Sequence, residues 1–233
     1  MEVYIILQII ELCGIPGCGK STLINAALRQ DCLSHTNIAT RQDIYFFRCK
    51  NKKKATALFR TFAKIKNYKI YVNILIINRR YSKDIKCLKY AVQFMMLLSQ
   101  IQEVIKSNIY EIAILDEGIY QYISAQADNT VFKADKQIHC VIDEVRNSLK
   151  NWSVFYCDIE VDDALERISK REGSSKRFSA SKSHVELKDL LEKRKNNIDY
   201  LCSIKSDLSL DMNNNIDENA IQFLNYINMK SGG

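Results

Sequence analysis

The chain has 233 residues, of which 47% are hydrophobic, seven are glycine and one is proline. This length and apolar fraction fit one α/β domain with insertions, and the scarcity of glycine and proline excludes collagenous, linker-like and low-complexity classes. The formal net charge is +7, and eight cysteines are scattered without a CxxC pair, which excludes the usual zinc spacings. In a cytoplasmic protein we expect these cysteines to be mostly buried, except Cys18, which we expect to be accessible.

An apolar run near the start of the chain predicts the first strand of a parallel sheet. It covers residues 3–12, with the sequence VYIILQIIEL. The run lacks a basic leader and a cleavage site and is too short to span a bilayer, so we expect neither a signal peptide nor a transmembrane segment.

The residues after this strand match the phosphate-binding pattern G-x-x-x-x-G-K-S in full. Glycines let the backbone curl so that N–H groups point at phosphate oxygens, and a helix predicted to begin at Lys20 adds the positive end of its dipole. Lys20 would reach the β- and γ-phosphates, and Ser21 would give its hydroxyl to Mg²⁺. We therefore predict a site for ATP and Mg²⁺ made by Gly14, Ile15, Pro16, Gly17, Cys18, Gly19, Lys20, Ser21 and Thr22.

A short second strand is predicted over residues 37–40, followed by mostly helical chain over 44–106. One helical face there is expected to be apolar and buried, with Ile85, Leu88, Val92, Met95, Met96 and Ser99. Between Asp43 and Asp84 there is no acidic residue, but there are twelve Lys and Arg side chains. This basic stretch favours an anionic partner such as a phosphorylated sugar, a nucleotide, a lipid headgroup or a nucleic-acid end, and solvated helix faces are the alternative.

Residues 111–115, EIAIL, predict a third strand that ends in Asp116 and Glu117. In proteins with a phosphate loop of this kind such a strand lies beside the first, which would bring its terminal carboxylates to the phosphates and the metal. Asp116 could hold Mg²⁺ or accept the proton of an attacking hydroxyl, and Glu117 could take the second role if Asp116 takes the first. Solvated acids at a strand end are the alternative.

The rest of the chain continues the alternation of strands and helices. We predict helices over about 134–150, 185–202 and 216–226, strands over 153–159 and 207–211, a further helix with Asp162 as its N-cap, and a short tail at 231–233. This order predicts an α/β fold of three layers, the P-loop NTPase fold, with a five-stranded parallel sheet, a helical insertion and a basic lid.

The predicted lid covers residues 171–183, which are polar and poor in apolar side chains. Arg167 and Arg171 lie four residues apart on one helix face, and Lys176 and Arg177 follow them in the loop. Because phosphoryl transfer spreads negative charge over the equatorial oxygens, Arg167 and Arg171 are candidates for nucleotide binding and catalysis when the lid closes. A solvated basic surface is the alternative.

These signals, in this order, resemble the P-loop nucleoside and nucleotide kinase superfamily, and the thymidylate kinases are the nearest group. In thymidylate kinases whose phosphate loop lacks arginine, the lid is basic. This chain is similar to that lid at Ala164-Leu165-Glu166-Arg167, Arg171 and Arg177-Phe178. The family has a Gln ten residues after the aspartate of a D-R-Y segment. Asp116 and Gln126 keep that spacing, with Glu117-Gly118 in place of Arg-Tyr. The family also carries a Thr-Arg pair, which Thr40-Arg41 matches here. The resemblance therefore implies an acceptor-binding site with Arg41, Asp43 and Gln126.

The resemblance covers about residues 1–40 and 110–230 and implies one kinase domain over 1–230. Its core would be 1–42 and 108–230, and residues 43–107 would form a basic helical insertion at the acceptor. The first hypothesis is an ATP-dependent phosphotransferase acting on a nucleoside, a nucleotide or a sugar-like acceptor. The second is a P-loop ATPase or switch coupled to a partner, although neither an LSGGQ nor an NKxD motif is found. The third is a polynucleotide 5′-kinase, and a homodimer and a peripheral membrane contact stay open.

Overall fold

The computed structural model describes residues 7–30, 36–41, 43–44, 68–82, 85–127, 130–170 and 183–231. Five strands form one sheet: β1 (Gln8–Cys13), β2 (Ile38–Thr40), β3 (Ile112–Leu115), β4 (Trp152–Asp158) and β5 (Leu208–Asp211). The predictions for β2 to β5 are confirmed to within a residue or two at each end. The first half of the predicted first strand, residues 3–6, lies outside the described residues.

The described helices are α1 (Lys20–Leu28), α2 (Tyr68–Tyr81), α3 (Ile85–Ser107), α4 (Ile119–Ser124), α5 (Lys136–Ser148), α6 (Val161–Ser169), α7 (His184–Ile204) and α8 (Ile216–Ser231), with a 3₁₀ turn at Ala125–Ala127. Two long helices, α2 and α3, lie between β2 and β3, as the predicted helical insertion requires. The last helix continues to Ser231, beyond its expected end near Tyr226 and into the expected tail.

All strand pairs in the sheet are parallel, and the strand order is β2-β3-β1-β4-β5. The central strand β1 pairs with β3 through Ile10 and Ile114 and with β4 through Ile10 and Ser153. Every residue of β1 and of β3 is buried, because a parallel sheet is covered by helices on both faces. The five-stranded parallel sheet of the predicted P-loop fold is therefore confirmed.

Side chains of β4 show how helices cover the two faces. Phe155 packs against Phe223 and Tyr226 of α8, with ring centroids 5.2 and 4.8 Å apart. Trp152 lies three positions before Phe155 in β4, so its side chain points to the opposite face of the sheet. There an adjacent ring, Tyr120 of α4, lies edge-on at 5.5 Å. Helices α1 and α8 pack together on the Phe155 side, so the sheet is the middle of three layers.

The buried face of α3 is not the predicted one. Of the predicted positions Met95 is buried, but Leu88 is 41% exposed, and the other buried positions include Ala91, Phe94, Leu98 and Ile101. Apolar side chains are present on more than one face of this helix. Contacts with α2, α4 and the 3₁₀ turn decide which face is buried.

Helix starts are capped as the local sequence allows, with one correction. Ser183 accepts a hydrogen bond from the Glu186 amide while the Glu186 carboxylate accepts one from the Ser183 amide, a complete capping box on α7. For α6 the predicted N-cap Asp162 is wrong. The N-cap is Glu160, two residues earlier, since the Ala164 amide donates to the carbonyl of Glu160 at 3.0 Å. Asp162 is therefore an exposed residue of the first turn, paired with Lys188.

A buried carboxylate connects β1 to the start of α4. Glu11 is 0% exposed, and its two oxygens accept hydrogen bonds from the Tyr120 amide at 2.6 Å and from the Trp152 indole at 3.2 Å. Gly118 leaves room for it, because a Cβ there would lie 2.4 Å from the Glu11 carboxyl carbon. Burial raises the pKa of Glu11 from 4.5 to about 7, although the donors from Tyr120, Ile119 and Trp152 act against this rise.

We predict that Glu11 makes the stability of the protein fall as the pH rises. Between pH 4.5 and 7 the folded chain holds the Glu11 proton more tightly than the unfolded chain. This contribution is therefore complete below pH 4.5 and lost as the pH rises through 7, and it amounts to about 3 kcal/mol. Urea unfolding of the wild type and of Glu11→Gln between pH 4.5 and 7 measures this contribution to the unfolding free energy. The variant should lack it. The control Glu192→Gln changes an exposed residue of α7 and should keep the wild-type dependence of the unfolding free energy on pH. The same pH dependence in the wild type and in Glu11→Gln would contradict the assignment.

Candidate active site

The phosphate loop has the backbone shape that its glycines predict. Gly17 and Gly19 have φ values of 90° and 102°, in the left-handed region that residues with a side chain rarely adopt. Helix α1 begins at Lys20, and the Leu23 amide donates to the Gly19 carbonyl at 2.9 Å. The loop thus joins the carboxyl end of β1 to the amino end of a helix, where free N–H groups favour an anion.

Lys20 lies inside this loop. Its ammonium group donates to the carbonyls of Gly14 at 2.7 Å and of Ile15 at 3.3 Å, and it is 3.5 Å from the Cys18 sulfur. The positive charge is therefore held within the turn, where the fold class binds phosphates. The arrangement fits a polyphosphate that replaces these carbonyls as the partner of Lys20.

Cys18 is buried, so the expectation that it is accessible is wrong. Its side chain packs under the loop beside Cys157 at the end of β4, because the loop folds back over that strand. A hydrogen bond from the Cys157 thiol lowers the pKa of Cys18 to about 6, against the effect of burial and with help from the charge of Lys20. Burial opposes the charge of Lys20 in turn, but Cys18, Cys157 and Cys13 together more than offset it and raise the pKa of Lys20.

The predicted magnesium ligands, Ser21 and Asp116, lie together. The Ser21 hydroxyl donates to Asp116 Oδ2 at 3.4 Å, across 95 residues of sequence. The other carboxylate oxygen, Oδ1, is buried and has no hydrogen-bond partner among the residues that the structure describes, and Arg41 Nη1 is 4.0 Å away. A hydroxyl and an under-coordinated carboxylate are the hard oxygen donors that Mg²⁺ prefers, so these residues fit the ion. Among the described residues no group of three or more His, Cys, Asp or Glu forms a metal site by itself.

Arg41 and Glu117 form an ion pair on the other side of Asp116. Arg41 directly follows β2, and its second terminal nitrogen donates to the hydroxyl of Tyr122 at 3.0 Å. Burial opposes the charge of Arg41, but Tyr122, Glu117 and Asp116 more than offset it and raise the pKa of Arg41. The structure thus brings together Arg41, Asp116 and Glu117, three of the residues that the sequence singled out.

The other two predicted acceptor residues have structural partners. Asp43 accepts hydrogen bonds from the amide and hydroxyl of Thr40, at 2.8 and 2.7 Å, and so fixes the end of β2 where Arg41 begins. Gln126 lies in the 3₁₀ turn and is fully buried, with its amide nitrogen 3.3 Å from the Tyr122 carbonyl. Its amide oxygen has no hydrogen-bond partner within the described part of the chain.

Arg167 lies against the outer side of the phosphate loop. Its guanidinium donates to the carbonyls of Met212 at 2.9 Å and of Cys18 at 3.3 Å, and to the side chain of Asn213 at 3.3 Å. It therefore links α6, the phosphate loop and the segment after β5. The other predicted lid residues, Arg171, Lys176 and Arg177, lie outside the described residues, and Thr22 is exposed at the start of α1.

Most of the basic stretch also lies outside the described residues; only Lys69, Arg79 and Arg80 are within them. Two of these three lie beside acids of α5. Lys69 is 3.9 Å from Glu144, and Arg80 is 2.6 Å from the buried carboxylate of Asp135. They therefore contribute to the packing of α2 on α5.

Sequence reasoning missed three residues of this region: Glu11, Tyr122 and Asn213. A charged residue inside an apolar strand could have indicated Glu11, because a buried carboxylate requires partners. Asn213 follows the carboxyl end of β5, the edge where ligands bind in parallel sheets. No local pattern distinguishes Tyr122 from the other tyrosines.

A cavity of about 1260 Å³ lies at the opposite edge of the sheet, at the amino ends of the strands. Its walls include Gln8, Glu111, Trp152 and Lys205. None of the predicted site residues lines it. The chemistry indicated by the phosphate loop and Asp116 is therefore separate from this cavity.

The strand order β2-β3-β1-β4-β5, with a G-x-x-x-x-G-K-S loop between β1 and α1, is the P-loop fold that the sequence predicts. No family model matches the chain, and no curated protein matches it. Similar solved structures include a deoxyadenosine kinase from M. mycoides with bound dATP, at 18% identity and a TM-score of 0.47, covering 95% of this chain and 99% of that one. They also include a shikimate kinase from Acinetobacter baumannii in complex with shikimate, at 14% identity and a TM-score of 0.47, covering 97% and 96%.

Values this low identify no substrate for the chain, so the fold assignment depends on the strand order and the phosphate loop. A special nearness to the thymidylate kinases stays a prediction. No helix in the described ranges has the length and apolar character needed to cross a membrane.

We predict that Gly17→Ala destabilises the protein more than Gly19→Ala. Both changes place a side chain at a positive φ, which costs about 1 to 2 kcal/mol. At Gly17 the new Cβ would also lie 2.6 Å from the carbonyl oxygen of Ala164, which is backbone. At Gly19 the nearest atom is the flexible end of Met212, at 3.3 Å. Urea unfolding gives the two free energies, and equal losses would show that the close approach of the loop to α6 is not a constraint.

Proposed function

We propose that the protein is an ATP-dependent phosphotransferase that passes the γ-phosphoryl group to a hydroxyl of a small acceptor. The observation that carries the proposal is the meeting of Ser21 and Asp116 at 3.4 Å beside Lys20. These groups come from the phosphate loop and from the neighbouring strand. A glycine loop that served only as a turn would not require a carboxylate at this place.

Each residue has a role that its position supports. The loop amides and Lys20 would hold the triphosphate, and Ser21 and Asp116 would hold Mg²⁺, which when bound neutralises charge on the transferred group. The acceptor oxygen would then attack the γ-phosphorus, the bond to the ADP oxygen would break, and the hydroxyl proton would pass to a carboxylate. Glu117 is the candidate for that proton because Asp116 is occupied on the Ser21 side.

The lid residues complete the proposal. Arg167 would hold the nucleotide end of the site, and Arg171, Lys176 and Arg177 would approach the phosphates when the lid closes and excludes water. We propose one kinase domain over residues 1–230, acting in the cytoplasm, where ATP is available.

The second candidate is an ATPase or switch coupled to a partner. The pair Asp116–Glu117 favours it, since an acidic pair at this strand end also suits activation of water. Phosphate release with ATP-Mg²⁺ alone separates the two candidates, because a kinase should hydrolyse ATP slowly without its acceptor. A polynucleotide 5′-kinase is less supported, because Lys69 and Arg80 lie beside acids of α5.

The experiment that tests the proposal is a mass-spectrometric screen of metabolite mixtures with the protein and ATP-Mg²⁺. The expected result is one compound or a few related compounds that gain a single phosphoryl group. The same mixture with Lys20→Ala is the blank. Rapid phosphate release without any phosphorylated product would favour the ATPase.

We predict that Lys20→Ala abolishes transfer. The ammonium group is the positive charge held inside the loop turn, so its loss should remove both phosphate binding and transition-state stabilisation. ATP binding by calorimetry and product formation measure the two effects. Lys106→Ala, an exposed change at the end of α3 on the opposite edge of the sheet, should behave like the wild type. Full turnover by Lys20→Ala would disprove the nucleotide assignment.

We predict that Asp116→Asn lowers kcat by roughly 100-fold or more and raises the Mg²⁺ concentration needed for half-maximal rate. The neutral amide keeps the shape of the side chain but loses the charge that holds the ion. A Mg²⁺ titration of the initial rate at saturating ATP measures this. Asp143→Asn, on the exposed face of α5, is the matched control. An unchanged Mg²⁺ requirement in Asp116→Asn would remove Asp116 from the metal site.

A further inference from the structure

We infer that the acceptor is a hydroxyl compound without a phosphate group, and that Glu117 enforces this choice by neutralising Arg41. The inference rests on the proposed function and names the class of substrate for the same site.

The position of Arg41 makes it the natural contact for an acceptor. Strand β2 pairs with β3 through Thr40 and Ile114, so the residues after these strands leave the sheet side by side. Arg41 is thereby placed next to Asp116 and Glu117 at the edge that carries the phosphate loop. A phosphorylated acceptor at this place would need a guanidinium fork with free donors.

Both terminal nitrogens of Arg41 already have partners from the chain itself. One terminal nitrogen forms the ion pair with Glu117 and lies 4.0 Å from Asp116. The other terminal nitrogen donates to the Tyr122 hydroxyl at 3.0 Å. A phosphate that bound both terminal nitrogens would therefore have to compete with Glu117 for one of them and with Tyr122 for the other.

The environment makes this pairing effective against an anion. The side chains of Arg41, Asp116 and Glu117 are 36%, 30% and 34% exposed, so they face the site but are partly removed from water. Charges in such a place are screened less than charges on an open surface. Since Mg²⁺ on Asp116 would offset that carboxylate, Glu117 is left to cancel the charge of Arg41, and the cluster offers no net positive charge to a phosphate dianion. A neutral hydroxyl compound needs no such charge and can donate its O–H groups to the same carboxylates.

The test compares each neutral acceptor with its phosphorylated partner. We would measure kcat/KM with ATP-Mg²⁺ for deoxyadenosine and its 5′-monophosphate, thymidine and its 5′-monophosphate, and glucose and glucose 6-phosphate. We would also test any acceptor that the metabolite screen identifies, together with its phosphorylated or dephosphorylated form. The proteins are the wild type, Glu117→Gln and Glu103→Gln, the last being the same change on an exposed face of α3. The ratio within a pair is the readout, because loss of a proton acceptor lowers both members equally.

The wild type and Glu103→Gln should favour the neutral member by about tenfold or more, and Glu117→Gln should reduce this ratio by about tenfold or more. A wild-type preference for the phosphorylated members would overturn the inference while leaving the kinase assignment in place. If Glu117→Gln left the ratio of neutral to phosphorylated acceptor unchanged, the inference would also be overturned and the kinase assignment would stand. Absence of transfer to every compound would overturn the proposed function, and the inference with it.

Discussion

The geometry of the site depends on one buried carboxylate. Glu11 lies three residues before the phosphate loop, and its oxygens bind the amide of Tyr120 and the indole of Trp152. Tyr120 belongs to the helix that begins directly after Asp116, Glu117 and Gly118. The strand that carries the loop and the segment that carries the acids are therefore held at a fixed distance. A carboxylate in an apolar layer is stable only with such partners, so this contact is also a constraint on the fold.

Within the described residues, three positive groups near the phosphate loop bind acceptors of the chain itself. Lys20 binds the carbonyls of Gly14 and Ile15, Arg167 binds those of Cys18 and Met212, and Arg41 binds Glu117. A ligand must therefore exchange partners with these groups, so its affinity is a difference between two sets of contacts. The exchange is easiest for Lys20, since neutral carbonyls hold an ammonium less tightly than a polyphosphate does. It is hardest for Arg41, whose partner is itself charged.

Local sequence patterns predicted the elements that build this site and some of its members. The spacing of Gly14, Gly19, Lys20 and Ser21 indicates a phosphate loop because each residue acts through its own backbone or its nearest neighbours. The apolar run before Asp116 predicted a buried parallel strand for a similar reason, since such strands have a recognisable composition. Its place beside β1 was expected only from the likeness to other proteins with this phosphate loop. The face of α3 could not be predicted in the same way. Apolar side chains such as Leu88 and Phe94 lie on different sides of the helix, and only the neighbouring helices decide which is buried.

The sequence by itself determined the order of strands and helices, the shape of the phosphate loop and the nature of its charges. These depend on backbone preferences and hydrophobic periodicity within a few residues. The tertiary structure alone decided which charges meet. Glu11 contacts residues 109 and 141 positions away, and Ser21 meets Asp116 across 95. Such contacts follow from the packing of strands that are distant in the chain. The pairing of Arg41 with Glu117 and Tyr122, which gives the acceptor side its charge, could be seen only there.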